Sequence, residues 1–169
     1  MKNSLIGLIF LFIFNINFLN FSFSQEQFNF DFTEIEINEK GNKFKGLKRG
    51  TISTNNGVYI DADTFEYDKL TNILIAYGNV IIEDKINNLT IISEDITFLR
   101  NEDKIFTKTK SKAFSNDIYI DADSLEYDKK LNTLNAKGNV KVKEKVKKLI
   151  INSDEITYHK DSEIFISKY

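Results

Sequence analysis

From Phe28 onward, apolar and polar side chains alternate with a period of two. Val58, Ile60 and Ala62 alternate with Tyr59, Asp61 and Asp63, the pattern of a half-buried strand. The parity then changes, because the next apolar pair is Phe65 and Tyr67. A strand with one buried face cannot change parity without an extra residue, so a bulge or corner is predicted near 63–64. The same slip separates Phe28, Phe30, Phe32 from Ile35, Ile37, and Leu89, Ile91, Ser93 from Ile96, Phe98. It returns between Ile118, Ile120, Ala122 and Leu125, Tyr127, and between Leu149, Ile151, Ser153 and Ile156, Tyr158. The residue before the slip is usually small (Ala62, Ser93, Ala122, Ser153), which leaves room for a strand to fold over its own core. Turns follow at Asp68-Lys69 with Asn72, and at Asp128-Lys129 with Asn132. The next strands bury Leu74, Ala76, Val80, Ile82 and Leu134, Ala136, Val140, Val142. Gly78 and Gly138 interrupt them, which fits a second bend or a close backbone approach.

These elements repeat. IDADTFEYDK at 60–69 recurs as IDADSLEYDK at 120–129, and 15 of 23 positions agree between 58–80 and 118–140. Within that 60-residue unit lies a finer one: Ile35-Glu36-Ile37, Phe65-Glu66-Tyr67, Ile96-Thr97-Phe98, Leu125-Glu126-Tyr127 and Ile156-Thr157-Tyr158 follow at steps of 30, 31, 29 and 31. Duplicated structural units follow from such spacing. No stretch after residue 24 carries a sustained helical stripe. The predicted fold is all-β, built from about five half-units of roughly 30 residues. A jelly roll, or an open barrel growing by strand pairs, fits it; a β-solenoid is the rival.

The N-terminal 24 residues differ. Lys2 precedes an apolar run from Leu5 to Phe14, and Ser22-Phe23-Ser24 sets small residues at −3 and −1 of a cleavage site. A spanning helix needs roughly 20 apolar residues, so a cleaved export signal over 1–24 is expected, leaving one domain over 25–169. Composition removes much chemistry. With no cysteine there is no disulfide, thiolate nucleophile or cysteine-bound metal, and a lone histidine, His159, cannot build a multi-histidine site. Near-balanced charge, 23 basic against 25 acidic, argues against a protein made to neutralise nucleic-acid phosphates.

The runs Ile-x-Ala-Asp-x-Φ-x-Tyr-Asp-Lys and Asn-x-Leu-x-Ala-x-Gly-Asn-Val, twice each at constant spacing, resemble the signature of the OstA-like N-terminal domain family. That family includes the periplasmic lipopolysaccharide transport protein of LptA type and the periplasmic domain of the outer-membrane assembly protein of LptD type. The resemblance covers Phe28 to Tyr169. It implies an open antiparallel β-jellyroll whose apolar interior holds lipopolysaccharide acyl chains. It implies no enzyme activity and no cofactor. The expected place is the periplasm, peripheral to membranes and in association with the outer membrane. The expected partners are other β-jellyroll components, including copies of itself, joined edge to edge into a bridge between the two membranes. The length is short of a 26-stranded membrane barrel, so the chain reads as a free-standing bridge protein or as an N-terminal piece of an assembly protein.

A twelve-carbon chain costs on the order of 10 kcal/mol to expose to water, so a carrier needs a continuous apolar lining. The inward residues expected to supply it are Ile60, Phe65, Tyr67, Leu74, Ile91, Ile96, Phe98, Ile120, Leu125, Tyr127, Leu134 and Ile156; they also suffice as an ordinary core. The absence of proline leaves strand edges able to pair, and drift towards an Asn-, Ile- and Lys-rich composition accounts for it equally.

Three further features have bland readings. Asp61, Asp63, Glu66, Asp68 and their echoes Asp121, Asp123, Glu126, Asp128 lack the glycine and glutamate of a calcium loop, and read as outward acids at a corner. Lys141, Lys143, Lys145, Lys147 and Lys148 read as lysines guarding an edge strand. His159 reads as a surface residue. One asymmetry stands out: the outward Ile73, Ile75, Tyr77 and Ile81 are apolar where Thr133, Asn135, Lys137 and Lys141 are polar. We expect the first set to be covered, by the N-terminal half-unit or by a partner. The remaining function class is a structural exported β-repeat whose interior never opens.

Overall fold

A computed structural model describes residues 28–168; the expected export signal over 1–24 lies outside the described residues. The strands are β1 (Phe28–Asp31), β2 (Ile35–Asn38), β3 (Lys43–Gly46), β4 (Gly50–Thr54), β5 (Val58–Ala62), β6 (Thr64–Asp68), β7 (Ile73–Asp84) and β8 (Leu89–Leu99). There follow β9 (Lys104–Phe106), β10 (Ser111–Ser115), β11 (Ile118–Ala122), β12 (Ser124–Asp128), β13 (Thr133–Glu144), β14 (Leu149–His159) and β15 (Ile164–Lys168). A 3-10 turn, Glu39–Gly41, joins β2 to β3.

Every pairing is antiparallel, and two layers face each other. One layer runs β1-β4-β5-β7-β8-β10-β11-β13-β14; the other runs β2-β3-β6-β7-β8-β9-β12-β13-β14-β15. The long strands β7, β8, β13 and β14 belong to both, bending from one layer into the other. The pairs β5/β6 and β11/β12 make the same passage with a break at Asp63 and Asp123. The result is a meander of bent strands, folded along one line into a jellyroll wedge. Antiparallel pairing throughout rules out a parallel solenoid.

At the fold line parity slips on β8 and between β5 and β6 and between β11 and β12, as the hydrophobic pattern requires, whereas β7 and β13 keep their parity and carry an extra residue instead. Across it β7 sets Gly78 and Asn79 against the single Glu94 of β8, between the pairs Tyr77–Asp95 and Val80–Ser93. Gly138 and Asn139 do the same on β13. Two residues opposing one is a β-bulge, which bends the strand. Gly78 and Asn79 have φ of 76° and 47°, a region open to glycine and tolerated by asparagine.

The core lies between the layers and draws on both. Two expectations are corrected. Ile35, Ile37 and Leu149 are exposed rather than inward, because among the described residues β2 and the first half of β14 are edges with nothing packed beyond them. Lys141 and Lys143 do not guard an edge: β13 is paired on both sides, with β11 and β14, and these lysines solvate its outer face.

Candidate functional site

The interior is graded in size and polarity from fold line to mouth. Beside the fold line the inward side chains are small: Ala62, Ala76, Ala122, Ala136, Val80 and Val140, all buried. The middle tier is large and apolar, and the twelve residues expected from the sequence are all buried at this level or beside it. Ile60, Ile91 and Ile120 come from the first layer. Phe65, Tyr67, Leu74, Ile96, Phe98, Leu125, Tyr127, Leu134 and Ile156 come from the second. Pleat alternation aims them inward, and the bulges keep that true across the bend. Ile52 and Ile105 complete the tier from β4 and β9; these short strands carry no repeat signature of their own.

The first strands add an aromatic cluster. Phe28 meets Tyr67 edge-on at 5.1 Å, Phe32 meets Phe65 at 5.0 Å and Phe30 stacks on Phe44 at 5.9 Å. At the far end Tyr158 stacks on Phe165 at 4.6 Å. Such pairs add about 0.5–1.5 kcal/mol beyond area burial. A cleft of about 580 Å³ opens near the first strands, with Phe44, Tyr67, Ile73 and Ile75 in its wall.

At the mouth the inward side chains become polar and reach from layer to layer. Lys129 Nζ donates to Asp84 Oδ2 at 2.7 Å, and Tyr127 Oη donates to the same oxygen at 3.0 Å. Asp84 also accepts from the backbone N–H groups of Ile86 and Asn87 and from the Asn87 amide. Burial pushes the Asp84 carboxyl up, but Lys129 and Asn87 outweigh it and hold the group below its usual range. The same burial, with Asp84 alongside, pushes the Tyr127 hydroxyl far up. One step on, the buried Lys160 donates to Ser115, and its ammonium is pushed down by burial against the pull of Asp84 and Asp161. One step back, Arg100 lies over the Phe28 ring at 4.6 Å. This latch of ionisable residues escaped the sequence reading. Its one signal is inward parity: Asp84 continues Val80 and Ile82, and Lys129 continues Leu125 and Tyr127.

The acidic cluster lies outside the wedge and is spent on local contacts. Arg49 bridges Asp61 and Asp63 at 2.6 and 2.7 Å, Glu66 faces Lys45, and Asp68 caps the turn through Leu70 and Thr71. His159 contacts Thr133. The outer apolar set is not covered by the N-terminal half-unit, since β1, β2 and β3 extend the layers edgewise instead of lying over them. Ile73, Ile75 and Ile81 are half-buried among cross-strand neighbours, and Tyr77 is exposed.

A search of curated proteins returns no match. Among solved structures the fold is similar to LptH, the LptA-homologous periplasmic component of the lipopolysaccharide transport device of Pseudomonas aeruginosa. The TM-score is 0.60 at 12% identity, over 67% of this chain and 83% of that one. The family model described as LptA/(LptD N-terminal domain) LPS transport protein matches residues 59–164, spanning both repeats and most of the wedge. The chain therefore belongs to the LptA/LptD N-terminal domain family of lipopolysaccharide transport proteins.

Proposed function

We propose that this protein is a non-catalytic, exported carrier that shields the acyl chains of lipopolysaccharide between the layers of its wedge and passes them along a bridge of like domains. The observation that supports it is the continuity of the apolar middle tier, from Phe28 and Phe65 through Leu74, Ile91 and Leu125 to Ile156, under a mouth held by a few polar contacts. Acyl chains that pass the polar mouth reach the apolar middle tier, while head-group phosphates stay at the polar rim. The twelve middle-tier residues serve as core when the protein is empty and as lining when it is loaded.

The test is photo-crosslinking from Phe65 and Leu125 in the exported protein, with extraction of bound lipid for mass spectrometry. Crosslinks to a lipid A-type molecule at both positions are expected. A protein that carries no lipid and crosslinks only to itself would fit the structural-repeat reading instead.

A further inference from the structure

The two copies of the 60-residue unit share a backbone, so each position in one has a counterpart in the other. On the outer face of the first layer the copies differ sharply in charge. Strand β13 and the turn after it carry Lys141, Lys143, Lys145, Lys147 and Lys148, where β7 and its turn carry Ile81, Glu83, Lys85, Asn87 and Asn88. Beside them β10 carries Lys112 and Phe114, where β4 carries Thr51 and Ser53. The second copy thus holds five lysines and a phenylalanine that the first lacks. Strands β10, β11 and β13 are each paired on both sides, so these lysines guard no edge.

Strand register gathers the residues into one patch. Phe114, Tyr119 and Lys143 form one row across the strands, and Lys112, Asp121 and Lys141 form the next. The Phe114 and Tyr119 rings lie 5.2 Å apart, and Lys143 Nζ sits 5.8 Å above the Tyr119 ring. At the end of the rows Val146 is 73% exposed, at the tip of the turn that carries Lys145, Lys147 and Lys148. Lys112, Lys141, Lys143, Lys145, Lys147 and Lys148 are all exposed. Asp121 is engaged by Lys110 and by the Tyr119 hydroxyl. Lys147 meets Glu163 at 3.6 Å in an exposed pair, which holds it only weakly. The patch is strongly positive in a chain whose formal net charge is −2.

We propose that this patch docks the protein on the surface of a bilayer rich in anionic phospholipid, with the lysines on lipid phosphates and Phe114 and Val146 in the head-group region. Each lysine held near such a surface raises affinity by about a factor of five. An acidic protein would need the charge alone; exposed apolar side chains set among long basic ones suit a membrane interface, where both contribute. The turns β10–β11 and β13–β14 close the mouth end of the first layer, so docking there brings the mouth to the bilayer. The patch lies outside the wedge, and docking does not depend on the carrier reading.

The chain has no tryptophan, so Phe114→Trp supplies a single reporter. On vesicles of phosphatidylcholine and phosphatidylglycerol in equal parts, its emission should shift to the blue and the exported full chain should sediment with the vesicles. Phosphatidylcholine alone should give neither effect, and high salt should release the protein. Ser53→Trp, the counterpart four strands away and so roughly 19 Å along a twisted sheet, should keep its emission. Lys143→Glu with Lys147→Asn and Lys148→Asn copies the first unit onto the same backbone, and should lower vesicle affinity by more than about twentyfold. Equal affinity in that variant, an unshifted Phe114→Trp on anionic vesicles, or a wild type that ignores them overturns the proposal. Capture by polyglutamate in place of vesicles also overturns it, and assigns the patch to an acidic protein. The vesicles contain no lipopolysaccharide, so docking and carriage fail separately.

Discussion

The side-chain amide of Asn79 donates to the carboxylate of Asp63 at 2.8 Å, and Asn139 repeats the bond to Asp123 at 2.7 Å. Beside each, the Asp N–H donates to the glycine carbonyl, Asp63 to Gly78 and Asp123 to Gly138. The most recognisable letters of the repeat, Ala-Asp and Gly-Asn-Val, are thus the fastening of the fold line, where two strands bend together. Their recurrence marks a corner rather than a lipid contact.

That fastening sets the first prediction. A Cβ on Gly78 would sit 2.5 Å from Asp63 Oδ2, at a φ of +76°. Gly78→Ala should cost about 2 kcal/mol or more by urea unfolding, and Gly138→Ala should match it. A change within about 0.5 kcal/mol would mean that the corner gives way freely.

The Asp84–Lys129 pair sets the second. Both side chains are nearly inaccessible, at 1% and 8% exposure, so removing one partner strands the other charge. Asp84→Ala should cost about 3–5 kcal/mol, and Asp84→Leu with Lys129→Met much less. Equal losses in single and double variants would show that the turn bonds of Asp84, not its lysine, carry the effect.

The pH dependence follows from the same carboxylate. Its folded pKa is depressed, so the stability it contributes is present above the unfolded value of about 3.9 and is lost as pH falls through the folded value. Urea midpoints measured between pH 6 and 2.5 (roughly, spanning that value) should fall with acid, and Asp84→Asn should fall less steeply. Identical slopes would remove Asp84 from the acid response.

The outer face gives a fourth. Tyr77 is 45% exposed and nothing in the wedge lies over it, so Tyr77→Lys should change stability by less than about 0.5 kcal/mol. If lipid transport in cells drops while stability holds, a partner covers this face. A stability loss near 2 kcal/mol would mean that the face is buried after all.

Much of this architecture is legible in the sequence because burial along a bent strand obeys one parity rule. Ile60 and Phe65 sit on opposite parities yet both face inward, and the slip between them locates the fold line. The latch at the mouth is not legible in the same way. Asp84 and Lys129 sit in different layers with three passages from layer to layer between them, and only the closed wedge brings them to 2.7 Å. Edge status is equally hidden: Lys141 looks like an edge lysine until β14 is seen to pair with β13. Ile35 and Ile37 obey the inward parity and are exposed, because no further strand covers them.

The last prediction separates a core from a lining. Leu74 and Leu134 occupy equivalent middle-tier positions and are fully enclosed. Truncation of either to alanine removes apolar contacts and leaves a cavity, at a cost of about 2–5 kcal/mol. In an ordinary core nothing refills that space. In a carrier an acyl chain does, and a ligand that binds only the folded state raises stability in proportion to its affinity. Purified lipopolysaccharide should therefore raise the melting temperature of Leu134→Ala by more than that of the wild type, and Leu74→Ala should behave alike. Equal shifts in variant and wild type would place the lipid outside the wedge.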